Sequence, residues 1–270
     1  AGHYYAYTKD FKTFETAPEV LFGRWNEADP ETGEKSKSFY DLFMSEARLT
    51  SYFAVANRIV PRNHWSSLGR IFVGGGRRCG LVSWTGTMFE YFMPCLFLPS
   101  PKGSVSYESL RFCLQNQRLR AGRKPFGISE SGFYAFDGNL NYQYKAHGVG
   151  KLGLSRDLDS ETVISPYSSF LCTAIAPNLA VKNLEKLEKS GLFGKYGFYE
   201  AADYTKSRVK EDFAVIRSFM AHHQGMSLVA AVNALQNNRM QRRFMGNSAM
   251  KGASELLNEH AGGENKVFKD

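Results

Sequence analysis

The sequence predicts a mainly α-helical fold with long loops that project from the helix ends. Apolar residues recur at helical spacing in several segments, capping residues flank those segments, and sustained strand alternation appears nowhere. The 270 residues suffice for one large domain or two small ones with a real core. With 43% hydrophobic and 22% charged residues, the composition is ordinary for a globular protein and argues against disorder and fibrous repeats.

Caps and breakers along the chain set the helix boundaries. Ser38 with Asp41 matches a capping box at the start of the first helix. Gly122 ends the third helix, and Ser165–Pro166 supplies an N-cap and a first-turn proline for the fourth. The predicted helices cover residues 38–58, 84–98, 104–121, 165–176, 178–190, 212–220, 224–237 and 249–260.

Three long stretches rich in glycine and aromatic residues separate these helices, at residues 71–83, 123–164 and 191–210. Loops of this length within a compact domain are usually functional. Short hairpins are expected only within residues 126–145. The sequence therefore predicts a functional site built from loops at the helix ends.

Charge, hydropathy and cysteine usage narrow the function classes. The net charge of +8 suits an acidic partner, but the basic residues are scattered, so no nucleic-acid partner is predicted. No window approaches 18 uncharged apolar residues, so no membrane insertion is predicted. The cysteines lack a CxxC pair, which favours reduced core thiols over disulfides or a zinc site. They are Cys79, Cys95, Cys113 and Cys172.

Aromatic residues make up 14% of the chain, and many of them surround four glutamates. Glu46 falls on the apolar stripe of the first predicted helix, where a buried carboxylate is costly unless it is paired. Either a functional role or a salt bridge to Arg48 or Arg70 explains it. Glu90 lies in a helix that is apolar nearly all round, so it either faces a pocket or caps a neighbour.

The other two glutamates lie in loops. Glu130 is flanked by Gly127 and Gly132, which permit close approach of the backbone. Its aromatic surroundings raise the pKa of a carboxyl group, which suits a general acid; a solvated loop residue is the alternative. Glu200, with Asp203 nearby, belongs either to the site or to a helix N-terminus that stabilises acids.

Carboxylates embedded among aromatic side chains are typical of carbohydrate sites. Sugar rings pack their C–H faces on aromatic rings, and glycosidic cleavage needs two carboxyl groups that flank the bond. The two adjacent histidines cannot face one metal ion from the same helix, so a metal pair is not predicted. The sugar-binding candidates are Glu90, Glu200, Trp84, Tyr91, Phe133, Tyr134, Tyr142, Tyr199, His222, His223 and Gln224.

Eight segments, taken in order from about Ser38 to about Leu257, resemble a known family. The resemblance is to the glycoamylase-like middle domain of bacterial cyclic β-1,2-glucan synthases, related to β-1,2-glucanases. Each segment alone is weak, but eight in one order are specific. They are SFYDLFMSEARLTSYFAVA, VPRNHWSSLGR, LVSWTGTMFEYFMP, FGISESGFYAFD, NYQYKAHGVGKLGL, ISPYSSFLC, KYGFYEAADYT and VIRSFMAHHQGMSLVAAVNAL.

The resemblance implies a fold, a reaction and two catalytic residues. The implied fold is an (α/α)6 toroid, and the implied reaction is retaining transglycosylation that closes linear β-1,2-glucan into a ring without a metal or cofactor. By motif position, Glu130 is the acid/base and Glu46 the nucleophile. Retention requires the two carboxyl groups to lie about 5 Å apart. A β-1,2-glucan hydrolase and a non-catalytic glycan-binding module are the alternatives.

The resemblance also implies an arrangement of the whole protein. We expect a poorly matched segment at residues 1–37, a glycoamylase-like domain at 38–257 and a tail at 258–270. Because fewer than twelve helices are predicted, the toroid is expected to be incomplete at the N-terminus. Fused glycosyltransferase and phosphorylase-like domains, and a cytoplasmic location as part of an inner-membrane synthase, are the implied setting.

Overall fold

The structure is a computed structural model that describes residues 40–75 and 78–260. It also describes a short antiparallel pair formed by β1 (Glu15–Thr16) and β2 (Gly23–Arg24). The predicted capping-box residue Ser38 and residues 261–270 of the predicted tail lie outside the described residues.

Helices make up most of the regular structure of the described residues. The α-helices are α1 (Ala47–Ala56), α2 (Asn63–Ser67), α3 (Met88–Phe92), α4 (Val105–Ala121), α5 (Pro166–Leu171), α6 (Pro177–Leu187), α7 (Ala221–Leu235), α8 (Arg239–Met245) and α9 (Ser248–Gly252). The longest, α4, begins where Ser104 Oγ accepts a hydrogen bond from Tyr107 N at 3.2 Å. It ends at Gly122, whose φ of 61° favours a residue without a Cβ.

Several predicted helices are confirmed. The helices expected at 104–121, 178–190 and 224–237 correspond to α4, α6 and α7. The helix expected at 165–176 is α5 followed by a 3₁₀ turn at Cys172–Ala174. The sequence signals that worked are local ones, namely caps, first-turn prolines and terminal glycines.

The first predicted helix is wrong over its N-terminal half. Residues 40–46 are not helical, and α1 begins only after Glu46. Phe43 N donates instead to the Gly69 carbonyl at 3.0 Å, and Leu42 forms a bridge with the same glycine. A long-range backbone pairing therefore replaces the first helical turns, which periodicity alone does not reveal.

Two more differences come from tertiary context. The helix expected at 84–98 shrinks to α3 and a 3₁₀ turn at Met93–Leu96. The helix expected at 212–220 is instead the strand Ala214–Ile216, which pairs with Ala201–Asp203. At residues 214–216 helical propensity yields to hydrogen bonding within a sheet. At residues 84–87 the Glu90 carboxylate accepts the backbone N–H hydrogen bonds, and the chain forms a loop.

Small antiparallel sheets replace most of the predicted loops. The hairpin expected within 126–145 is confirmed. The strands are β3 (Phe72–Gly75), β4 (Arg78–Leu81), β5 (Ser131–Phe136), β6 (Tyr142–Lys145), β7 (Val163–Ile164), β8 (Phe193–Gly194), β9 (Gly197–Phe198), β10 (Ala201–Asp203) and β11 (Ala214–Ile216). The hairpins are β3–β4, β5–β6 and β8–β9, and the three-stranded sheet has the order β11-β10-β7.

One large apolar core joins the helices to the sheets. Tyr52, Phe92, Phe112 and Leu171 are at most 1% exposed and come from α1, α3, α4 and α5. Full burial of such a side chain contributes roughly 1.5–3 kcal/mol to folding. The carboxylates described below lie at elements joined to this core: Glu46 precedes α1, Glu90 lies in α3, Glu130 precedes β5 and Glu200 precedes β10.

Candidate active site

Glu130 immediately precedes β5, and two tyrosines hold it in place. The Tyr167 hydroxyl, from α5, donates to the Glu130 carbonyl oxygen at 2.9 Å. The Tyr144 hydroxyl, from β6, hydrogen-bonds the Glu130 carboxyl group. Burial raises the pKa of Glu130, while the hydrogen bond from Tyr144 favours its ionised form. The residue is therefore not the solvated loop glutamate that the sequence left open.

Glu46 is half-buried at the N-terminus of α1. Burial, followed by the charges of Glu90 and Glu130, raises its pKa to about 7. A carboxyl group with this pKa carries a proton about half the time at neutral pH. The structure therefore brings Glu46 and Glu130 within electrostatic reach of each other.

The alternative salt bridges for Glu46 are not formed. Arg70 pairs with Glu259, with 2.6 Å between Arg70 Nε and Glu259 Oε1. The buried Arg48 donates to the Tyr91 carbonyl at 3.3 Å. Neither arginine neutralises Glu46, which is consistent with its raised pKa.

Glu90 serves its own loop. Its carboxylate accepts hydrogen bonds of 2.7–3.0 Å from the hydroxyl groups of Ser83, Thr85 and Thr87. The backbone N–H groups of Trp84, Thr85 and Thr87 donate to it at 2.9–3.0 Å. These six bonds exceed the roughly four lone-pair positions of a carboxylate. Of the two interpretations of Glu90, the structure favours the cap, and a sugar-binding role stays a prediction.

Glu200 lies just before β10. It is 2% exposed, and its Oε1 accepts from the Gly132 N–H in β5 at 3.1 Å. His223 Nδ1, from α7, lies 2.9 Å from Oε1 and 3.0 Å from Oε2 of the same carboxylate. Glu200 is thus not a solvated acid at a helix N-terminus but a bridge between the hairpin and α7.

The predicted aromatic residues separate into different surroundings. Tyr91 is a correction: it is fully buried, and its hydroxyl donates to the Leu81 and Leu152 carbonyls, so it belongs to the core. Phe133 faces away from Glu200, with the Arg208 guanidinium 4.7 Å from its ring centroid.

Two further aromatic residues lie on the outer part of the hairpin. The ring of Tyr134 contacts Phe136 with centroids 5.4 Å apart, and Tyr142 contacts the same ring at 4.9 Å. Tyr134 is 39% exposed. The ring contacts of both residues are with Phe136, and their sugar-binding roles stay predictions.

The remaining candidates lie around His223. Tyr199 and Gln224 line a cleft together with Glu200 and His223. The ring centroids of His222 and His223 lie 4.0 Å apart. Trp84, by contrast, is 38% exposed and contributes its backbone N–H to Glu90.

Sequence reasoning missed Tyr144 and Tyr167. Tyr144 pairs with Gly132 across the hairpin, so its side chain shares a sheet face with the Glu200 contact at Gly132. The alternation in NYQYK offered a signal, because Tyr142 and Tyr144 are two residues apart on one face. Tyr167 resembled an ordinary core position of a helix, and nothing local distinguished it.

Comparison with known proteins identifies the family. The protein-family model named Glycoamylase, which describes glucoamylase-like proteins, matches residues 38–248. The chain belongs to the glycoamylase family. It is also 42% identical over 233 residues to the cyclic beta-(1,2)-glucan synthase NdvB of Rhizobium meliloti (strain 1021). That match covers 84% of this chain but only 8% of the relative's length.

Solved structures of glycoamylase relatives share the fold. A candidate glucoamylase of Bacteroides caccae aligns with a TM-score of 0.66 at 18% identity, covering 95% of this chain and 68% of that one. A second from Bacteroides fragilis aligns with a TM-score of 0.62 at 20% identity, covering 89% and 58%. The predicted family resemblance is confirmed.

The glycoamylase site has a second charged cluster behind the hairpin. Arg208 lies 2.5 Å from Glu161 and 3.0 Å from Asp203, and Lys145 lies 2.8 Å from Glu161. Although burial opposes it, hydrogen bonds from Arg208 and Lys145 lower the pKa of Glu161 to about 2. Burial lowers the pKa of His147 to about 4, so its 3.0 Å contact with Glu161 joins a neutral ring to a carboxylate. This cluster fixes β6 against β10.

Among the described residues, no group of three or more His, Cys, Asp or Glu side chains is arranged to hold a metal ion. None of the helices in that part of the chain combines the length and apolar character needed to cross a membrane.

Proposed function

We propose that this chain acts on β-1,2-glucan by retaining transglycosylation and closes linear chains into rings. The observation that carries the proposal is the grouping of Glu46 and Glu130, with the pKa of Glu46 raised to about 7. Glycosidic cleavage uses such a pair, one carboxyl group protonated and the other ionised. The 42% identity to a cyclic beta-(1,2)-glucan synthase supports β-1,2-glucan as the substrate.

The two carboxyl groups divide the work by their surroundings. Glu46, raised by burial and negative neighbours, is the better proton donor, and we assign it as the acid/base. Glu130 is the nucleophile, because the hydrogen bond from Tyr144 favours its ionised form against the opposing effect of burial. This assignment reverses the roles expected from the sequence but keeps the same pair.

The reaction then proceeds in two balanced steps. The Glu130 carboxylate forms a bond to the anomeric carbon as the glycosidic C–O bond breaks, and Glu46 gives its proton to the departing oxygen. A hydroxyl group of the acceptor then attacks that carbon, the bond to Glu130 breaks, and Glu46 takes the hydroxyl proton. Each step inverts the configuration at the anomeric carbon, and two inversions together retain it. A ring forms when the acceptor hydroxyl belongs to the same glucan chain, and hydrolysis results when the acceptor is water.

The proposal includes the setting of the domain. The TM-scores of 0.66 and 0.62 support a glucoamylase-like helical fold, for which we propose the (α/α)6 toroid. We also propose the domain limits 38–257. Because the relative is far longer than this chain, we further propose fusion to glycosyltransferase and phosphorylase-like domains in a synthase at the inner membrane, with this domain on the cytoplasmic side.

Incubation of the 270-residue chain with linear β-1,2-glucan tests the activity. We expect cyclic products by mass spectrometry, lighter than the linear glucan of equal length by one water. Glu130→Gln should lose roughly 10³-fold or more of this activity, because the amide is a poor nucleophile. Glu185→Gln, a matched change on the exposed face of α6, should keep wild-type activity.

The products separate the alternatives. Shorter linear products that depend on Glu130 would replace cyclisation with hydrolysis. If the folded wild-type chain binds the glucan but leaves it unchanged, a non-catalytic glycan-binding module is supported instead. Full activity in Glu130→Gln would contradict the proposed catalytic pair.

A further inference from the structure

An aromatic cleft opens beside Glu130. We use the name aromatic cleft for the space between α5, the β8–β9 hairpin and α7, lined by Tyr167, Phe170, Phe198, Glu200 and His223. Five aromatic rings of tyrosine and phenylalanine line it, and its polar lining residues are Glu200, His223, Gln224 and Ser227. Tyr167 joins the cleft to the catalytic pair, because its hydroxyl donates to the Glu130 carbonyl.

The His223 ring is held in one orientation. Its Nδ1 lies 2.9 and 3.0 Å from the two oxygens of Glu200, which as a carboxylate only accepts hydrogen bonds. Nδ1 therefore carries the proton in that bond. The ring also stacks on Tyr167, with centroids 3.8 Å apart and planes inclined by 13°. In the neutral imidazole this leaves Nε2 as the hydrogen-bond acceptor.

That acceptor is unpaired within the described part of the protein. His223 is 2% exposed, and its Nε2 is a buried atom with no hydrogen-bond partner among the described residues. Buried polar atoms are nearly always paired, and an unpaired one lining a ligand cleft indicates a missing donor. Sugar hydroxyl groups are such donors, and the aromatic walls suit the C–H faces of a sugar ring.

We propose that the aromatic cleft binds a glucose residue and that His223 Nε2 accepts a hydrogen bond from one hydroxyl group of that residue. Glu200 is then a positioning residue that fixes the His223 tautomer. The proposal rests on the proposed function, because it takes the ligand to be β-1,2-glucan. It adds a named acceptor atom and a requirement for one particular hydroxyl group.

Binding measurements test directly whether His223 Nε2 contacts the sugar. The ligand is a linear β-1,2-gluco-oligosaccharide, titrated calorimetrically into Glu130→Gln so that it is not consumed. In that background, His223→Asn places an amide nitrogen near the position of Nδ1 and removes Nε2. We expect the Kd to rise about ten- to a hundredfold. His260→Asn, a remote exposed change, is the control and should leave the Kd unchanged.

A series of monodeoxy oligosaccharides supplies a second readout, because one analogue should bind the Glu130→Gln protein more weakly than the parent sugar does, even without a His223 variant. One analogue, lacking the contacting hydroxyl, should bind the Glu130→Gln protein as weakly as the parent binds the double variant. Adding His223→Asn should not weaken that analogue further, because the two changes remove the same contact.

The outcomes distinguish this inference from the proposed function. An unchanged Kd in a folded His223→Asn variant, or additive losses for every analogue, would mean that Nε2 contacts only water and would overturn the inference. Undiminished turnover by Glu130→Gln would instead overturn the catalytic proposal, whatever the binding data show.

Discussion

At the scale of single residues, four glutamates have four different roles because their neighbours differ. Glu46 is half-buried near two negative charges, and Glu130 receives a hydrogen bond from Tyr144. Glu90 is saturated by its own loop, and Glu200 is bound to His223. A sequence shows that each glutamate lies among aromatic residues, but the direction of each carboxyl group depends on contacts from distant segments.

The raised pKa of Glu46 predicts the alkaline limb of the activity profile. The acid/base must carry a proton in the first step, so activity should fall as the pH rises through about 7. Well above that value, kcat/KM should decrease about tenfold per pH unit. A profile measured from pH 5 to 9 checks this, and a constant kcat/KM between pH 7 and 9 would contradict Glu46 as the acid.

At the residue scale, the sequence singled out carboxylates in unusual surroundings more readily than tyrosines in ordinary ones. Carboxylates in apolar surroundings stood out, and all four interact electrostatically or through hydrogen bonds in one region. Tyrosines did not stand out: Tyr91 was selected and lies in the core, while Tyr144 was passed over and contacts Glu130. A local sequence pattern does not predict whether a tyrosine hydroxyl hydrogen-bonds a backbone carbonyl or a carboxylate.

At the scale of elements, the loop before α3 depends on one side chain. Glu90 and Thr87 form a reciprocal capping box, which orders residues 83–87 and starts the helix. The periodicity of this segment suggested a longer helix. The Glu90 carboxylate instead accepts hydrogen bonds from the backbone N–H groups of residues 84, 85 and 87, and these residues form a loop.

Removal of this carboxylate should destabilise the fold. Glu90→Ala leaves several buried donors unpaired, and we expect the free energy of unfolding to fall by about 3 kcal/mol or more. Urea unfolding followed by circular dichroism measures the change. Glu185→Ala, an exposed helical change, should lie within about 0.5 kcal/mol of wild type. An equally small effect at Glu90 would contradict its capping role.

At the scale of the whole molecule, the helical class and the family could be predicted, but the sheets could not. Caps and apolar stripes are local, so α4, α6 and α7 were predictable from their own residues. Strands such as β11 are two or three residues long and exist only because a distant segment pairs with them. Because Glu130 and Glu200 directly precede β5 and β10 and Tyr144 lies in β6, the sequence named these carboxylates but not the side chains that contact them.

The central claim is that Glu130 attacks the sugar while Glu46 handles the proton. Glu46→Gln treated with the β-fluoride of a linear β-1,2-gluco-oligosaccharide tests it most directly, because fluoride departs with little need of an acid and the variant lacks the base for release. Peptide mass mapping should show the oligosaccharyl group on the peptide that contains Glu130. An adduct on the Glu46 peptide of the Glu130→Gln protein, or an inverted product without any adduct, would contradict the claim.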